Sequence, residues 1–207
     1  MSNAFTPSWS AEILQAAPLI APARAFTYPQ NIPGEEDALA RGALNLRVRP
    51  RSGGAYLATC ALGFTDPALP TAVHACPHPD HLCALAGGYA YLADTTQPES
   101  CTLLPMKPVA AVHPLPEHGL LLFLGFHTLL AWDTNGLRWQ SARLTWEGLR
   151  LTEVSATHAH GFGWDLYTDR EVPFSVDLAT GVHTGSPFPP ASGSPAPSLP
   201  VSGGATS

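Results

Sequence analysis

Positive charge is scarce in this sequence. Its 207 residues carry one lysine, Lys107, and nine arginines against 16 acidic residues, for a net charge of −6. Binding to a polyanion relies on clustered Lys and Arg, so nucleic acid is excluded as the expected partner. Long apolar runs are also missing. The longest, Gly119 to Phe126, suits a strand and falls well short of the ~20 residues that a membrane-spanning helix needs, so no membrane association is expected. Met1 to Pro18 has no positive charge ahead of Ile13-Leu14, and Pro18 cuts that run. The layout of a secretory signal is therefore absent, and the expected compartment is the cytoplasm.

Cysteine is sparse as well. Cys60, Cys76, Cys83 and Cys101 are too few for a disulfide scaffold, and their simplest role is that of small buried hydrophobes. The chain contains no Gly-x-Ser-x-Gly elbow, no His-Glu-x-x-His, no phosphate-binding Gly-x-x-x-x-Gly-Lys and no dinucleotide fingerprint. These absences weigh against an enzyme.

Apolar side chains make up 45% of the chain, enough to rule out wholesale disorder. Twenty-two Pro and 18 Gly interrupt the helical hydrogen-bond ladder and turn the expectation towards β structure. Residues 1–42 read as a proline-rich N-terminal cap with short helices: one or two turns from Ser10 to Ala17, and another from Glu35 to Arg41 stopped by Gly42. From Ala43 the pattern changes. Leu44-Asn45-Leu46-Arg47-Val48-Arg49 alternates strictly, as a half-buried strand does, and about a dozen short strand candidates come after it, separated by Gly, Asn, Asp or Pro. Residues 43–185 therefore read as one β domain. Residues 186–207 carry no charge and six prolines and read as a flexible tail, with Pro187-Phe188-Pro189-Pro190 as a candidate polyproline recognition motif.

The β region repeats itself. Sliding the sequence by 39 residues brings Ala72-Val73-His74 onto Ala111-Val112-His113, Leu82 and Leu85 onto Leu121 and Leu124, and Asp94-Thr95 onto Asp133-Thr134. A third, weaker copy matches Val112 with Val154, His118-Gly119 with His160-Gly161, and Asp133 with Asp177. Tyr56-Leu57-Ala58 resembles Tyr91-Leu92-Ala93, the trace of a fourth. A period near 40 built from about four short strands is the arrangement of a β-propeller blade. In each copy an Asp stands before a turn, where its carboxylate can accept hydrogen bonds from turn amides.

Ala131-Trp132-Asp133-Thr134-Asn135-Gly136-Leu137-Arg138-Trp139 and Ser175-Val176-Asp177-Leu178-Ala179-Thr180-Gly181 resemble the blade signature of quinoprotein-type and WD-like propellers. That resemblance implies blades but carries over no cofactor-binding residue. The expected fold is all-β, a small or incomplete propeller-like repeat of antiparallel sheets with about three and a half to four blades. A β-sandwich is the alternative.

Two groups of residues are candidates for function. His74, Cys76, His78, His81 and Cys83 place five zinc-type donors within ten residues, which makes zinc the candidate cofactor. Against a metal site, the repeat aligns Cys76 with Leu115 and Cys83 with Leu122, positions of burial. The second group is a candidate interaction surface: His118 and His160, placed by the alignment in one turn on one rim, with Trp139 and Trp146 as exposed aromatics. Trp132 and Trp164 are assigned to packing between blades, and the carboxylates around Tyr167 to a solvated hairpin. The expected function is a non-catalytic protein-binding or scaffolding module whose partner is another protein or a second copy. The alternative is a small metal-binding module or metal-dependent hydrolase at residues 74–83.

Overall fold

The computed structural model describes residues 4–20, 22–29 and 39–189. They form sixteen strands: β1 (Trp9–Leu14), β2 (Ala25–Tyr28), β3 (Ala43–Pro50), β4 (Tyr56–Ala61), β5 (Ala72–Ala75), β6 (His81–Ala86), β7 (Tyr89–Asp94), β8 (Cys101–Leu103), β9 (Ala111–Leu115), β10 (Leu120–Leu124), β11 (Leu129–Asp133), β12 (Gly136–Gln140), β13 (Glu147–Val154), β14 (His158–Asp165), β15 (Arg170–Asp177) and β16 (His183–Thr184). A single 3-10 turn, Pro116–His118, precedes β10. The strands make four sheets of four, in the orders β1-β3-β4-β2, β5-β6-β7-β8, β12-β11-β10-β9 and β13-β14-β15-β16. The fold is all-β and propeller-like, with four separate blade-sized sheets where a sandwich would have two larger ones.

The described residues divide into two compact units, residues 6–107 and residues 108–189 with residues 4–5. Each unit holds two sheets around its own core. In the first, strict alternation sends Leu44, Leu46 and Val48 of β3 inward, where they join Tyr56 and Ala58 of β4 and Leu82, Ala84 and Tyr91 of the second sheet. In the second, Leu120, Leu122 and Leu124 of β10 pack with Leu129, Ala131 and Trp139 and with Ala159, Phe174 and Val176 of the fourth sheet. Strand β10 is buried at every position, which accounts for its uninterrupted apolar sequence.

The internal repeat is a repeat of strand pairing. Ala72 faces Leu85 and Val73 faces Ala84; 39 residues later Ala111 faces Leu124 and Val112 faces Phe123. The next ladder matches too: Leu82–Ala93 and Cys83–Leu92 correspond to Leu121–Trp132 and Leu122–Ala131. Asp94, Asp133 and Asp177 each end the third strand of a sheet. Each carboxylate Oδ1 accepts the amide two residues on, from Thr96 at 2.8 Å, Asn135 at 2.7 Å and Ala179 at 3.1 Å.

The N-terminal segment departs from expectation. Ser10 does not cap a helix; Trp9–Leu14 is a strand paired along its length with β3. The free edge of β3 offers six residues of ladder, and Glu12 meets Arg47 across it at 3.0 Å. That tertiary partner outweighs a weak local helix preference. Strand β2 lies parallel to β4, so both outer strands of the first sheet come from the segment read as a cap. Leu39 and Ala40 are helical and Gly42, at φ +99°, ends the turn; the rest of the Glu35–Arg41 expectation lies largely outside the described residues. Of the expected tail, residues 190–207 also lie outside them, whereas Ser186–Pro189 are held against the second unit through Ser186 and Phe188.

Candidate interaction surface

The structure does not assemble the five zinc-type donors. His74 of β5 stands opposite Cys83 of β6. The rings of His78 and His81 lie 4.3 Å apart, and His78 Nδ1 accepts the Asp80 amide at 3.2 Å. The Trp9 indole N–H donates to the His81 carbonyl at 3.0 Å, and the Ser8 hydroxyl bonds the Asp80 carboxylate, so this loop is tied down by the N-terminal strand. Burial pushes the Cys76 thiol up to about 12 and raises that of Cys83 well above its ordinary value. Burial, and next the neighbouring His78, holds His81 below the usual imidazole range. Both sulfurs are buried, which favours the thiol over the thiolate that zinc binds. Among the described residues, no group of three or more His, Cys, Asp or Glu side chains is placed to hold a metal ion.

The second expected group also separates. His118 closes the 3-10 turn, and its Nε2 lies 3.2 Å from the Ala156 carbonyl. His160 is in mid-strand β14, beside His158 at a ring distance of 6.0 Å. The two histidines therefore do not share a turn. The alignment slipped because β14 runs for eight residues where β10 runs for five. Trp139 is a core residue, 5% exposed, and its indole N–H donates to the Leu178 carbonyl at 2.8 Å. Trp132 is buried, whereas Trp164, expected inside, is 37% exposed.

Trp146 anchors a constellation of its own. It stands just before β13, fixed by its amide donating to the Trp164 carbonyl at 3.0 Å. The Tyr167 ring meets it edge to face at 5.4 Å, and the Phe188 ring lies 5.0 Å away. The Arg143 guanidinium lies 5.0 Å from the Trp146 ring and 5.2 Å from that of Phe188. It is oriented by donating to the carbonyls of Thr145 at 2.9 Å and Trp146 at 3.1 Å. Such cation–π pairs stabilise by about 0.5–1 kcal/mol at exposed sites.

The flanks of this cluster are built, not loose. Asp165 accepts the Thr168 hydroxyl at 2.6 Å and the amides of Tyr167 and Thr168, which shapes the β14–β15 turn and keeps its own carboxyl below the usual range. Nearby, Arg150 and Glu171 form a two-bonded ion pair at 2.9 and 2.7 Å across the exposed surface. The carboxylates around Tyr167 thus serve the hairpin. On the other side, Ser186 donates to the Leu144 carbonyl at 2.9 Å and accepts the Phe188 amide at 3.0 Å. Buried His183 has Nε2 at 3.0 Å from the Phe188 carbonyl. The outcome is a ladder of rings, Phe188–Trp146–Tyr167, ending in a tyrosine that is 81% exposed next to Leu166 at 63%. Of this set the sequence singled out only Trp146 and the proline-flanked Phe188. Arg143 and Trp146 are local neighbours, and Tyr167 and Phe188 join them only through tertiary structure.

No family model and no curated protein matches this chain. Among solved structures, the N-terminal domain of Nup159 is similar at 15% identity and a TM-score of 0.36, over 89% of this chain and 51% of that one. The chain thus spans about half the length of that domain. The fold assignment rests on the sheets themselves.

Proposed function

We propose that the protein is a non-catalytic protein-binding module, and that the Arg143–Trp146–Tyr167–Phe188 cluster is its contact surface. The observation that carries this reading is an almost fully exposed tyrosine held on a rigid aromatic base. Tyr, Trp and Arg are the residues that dominate binding energy at protein interfaces, because they bury much area at little entropic cost. A monomeric surface rarely leaves such a cluster bare without use. The blade repeat, with its resemblance to quinoprotein-type and WD-like propellers, supplies a stiff scaffold for the cluster and brings no cofactor site with it. Four free cysteines suit a reducing compartment, in keeping with a cytoplasmic module.

The test is capture by the full-length chain, with retained proteins identified by mass spectrometry and self-association followed by sedimentation. We expect a defined partner, or a second copy, whose retention falls at least tenfold in Tyr167→Ala and in Arg143→Ala, with melting temperatures lowered by no more than a few degrees and the strand signal in circular dichroism retained. Binding that is indifferent to both substitutions would remove this surface from consideration.

A further inference from the structure

We infer that two copies of this chain pair face to face, each laying the outer face of its fourth sheet on the outer face of the other's first sheet. Neither face includes a residue of the Arg143–Trp146–Tyr167–Phe188 cluster. Strand β14 alternates between small and large residues. Towards the core shared with the third sheet it turns Ala159, Gly161 and Gly163, all buried. A Cβ on Gly161 would strike the Phe174 ring of that core, so bulk is barred there. To the opposite side it turns His158, His160, Phe162 and Trp164, none of them buried. A stack of repeats stays soluble when its terminal member has a polar outer face. Rings at four alternate positions are instead the composition of a covered face.

Charge identifies what covers it. Arg150 lies 4.7 Å over the Phe162 ring and is neutralised by Glu171. Glu147, opposite Trp164, and Glu153, opposite His160, form no ion pair among the described residues. The fourth-sheet face is therefore aromatic and net negative, and laying it on its own copy would set like charges together. The first sheet offers the complement. Strand β3 sends Leu44, Leu46 and Val48 into the core and turns Asn45, Arg47 and Arg49 outward. Arg49 forms no ion pair among the described residues, and Arg47 gives one of its five N–H groups to Glu12. Next to Arg47, a shallow cleft of about 190 Å³ is lined by Leu14, Leu57 and the prolines of the β1–β2 connection. An apolar recess with a guanidinium on its wall suits a ring flanked by a carboxylate, the pair that Trp164 and Glu147 present. Four strands about 4.8 Å apart and about six residues long present roughly 400 Å² of flat face. One such contact buries roughly 800 Å², whereas two chains that make it twice bury about 1,600 Å², the area of a stable interface.

The experiment is sedimentation velocity on the full-length chain over a wide range of concentration. We expect a pair in equilibrium with single chains. Arg47→Gln with Arg49→Glu removes the positive charge of the first-sheet face, and Glu147→Arg with Glu153→Arg reverses the sign of the fourth. Each double variant alone should pair at least tenfold more weakly, with the strand signal in circular dichroism retained. Mixed in equal amounts, the two should recover the pair, because both contacts between them again join faces of opposite sign. Arg49→Glu and Glu147→Arg as single changes repeat the test if a double variant does not fold. A parent chain that stays single at every concentration, or mass that grows past the pair, overturns the inference. So does a double variant that pairs like the parent, or a mixture that stays single.

Discussion

Asp94, Asp133 and Asp177 do the same work in three sheets: each carboxylate accepts amide hydrogen bonds from the turn that leaves the third strand. A hydrogen bond to a charged group contributes about 1.5–3 kcal/mol when well made, less at an exposed turn. We expect Asp133→Ala and Asp94→Ala each to lower the melting temperature by a few degrees, while Asn, which keeps the acceptor, retains most of it; calorimetry measures this. Asp177 lies below the usual carboxylate range chiefly through the Thr180 hydroxyl; for Asp94 burial is the largest single influence and acts upward, but the bonds from Thr96 and the Gln97 amide together with nearby His81 bring it below that range. A carboxyl whose value is lowered by folding stabilises the native state above its unfolded value, about 3.9, and that contribution disappears as pH falls further. His81 and His113 are lowered by burial, which disfavours the imidazolium. Their contribution is complete above about 6.5 and is lost as pH drops through the lowered values. Stability should therefore fall in two stages on acidification, the first beginning near pH 6.5 and the second below pH 4. His113→Gln and His81→Gln together should flatten the first stage in a pH series of denaturant midpoints.

At the scale of the element, β10 and β14 show two ways to fill a sheet. Strand β10 places Leu120 to Leu124 in the core without a break, so Leu122→Ala, at a fully buried position, should cost about 2–5 kcal/mol in equilibrium unfolding. Strand β14 uses absence instead. A Cβ on Gly161 would run into the Arg150 carbonyl and the Phe174 ring, and one on Gly163 into Thr145. Gly163→Ala should therefore destabilise by about 1–3 kcal/mol despite adding a single methyl group, whereas Gly119→Ala, with open space around it, costs only its left-handed backbone. Elements of this kind were legible in advance, because burial on one face or two writes itself into the alternation of Leu44-Asn45-Leu46 or the solid run of β10. Strand β1 was not. Ser10, Ala11 and Glu12 carry local helix signals, and only the open edge of β3, some thirty residues later in sequence, makes them a strand. The ring ladder was hidden for the same reason: Trp146, Tyr167 and Phe188 are remote from one another in sequence and join only when the β14–β15 turn and the chain after β16 meet at Trp146.

For the whole molecule, the pairing ladders carry the main statement. A blade-sized sheet of four short strands cannot cover both its faces, so its stability comes from stacking on a neighbour, as the shared cores of the first and second sheets and of the third and fourth show. The spacing of 39 residues records two successive sheets built to one register. Function is coupled to this architecture only through what it holds at its surface. The most direct test is to map interstrand backbone contacts in solution by nuclear Overhauser effects between α protons and amides. Val73 should lie opposite Ala84 and, independently, Val112 opposite Phe123, with every contact of the β5–β6 hairpin repeated 39 positions later in β9–β10. Contacts at any other offset in either hairpin, or a helical pattern anywhere between Ala72 and Leu124 outside the Pro116–His118 turn, would contradict a repeat of blade-like sheets.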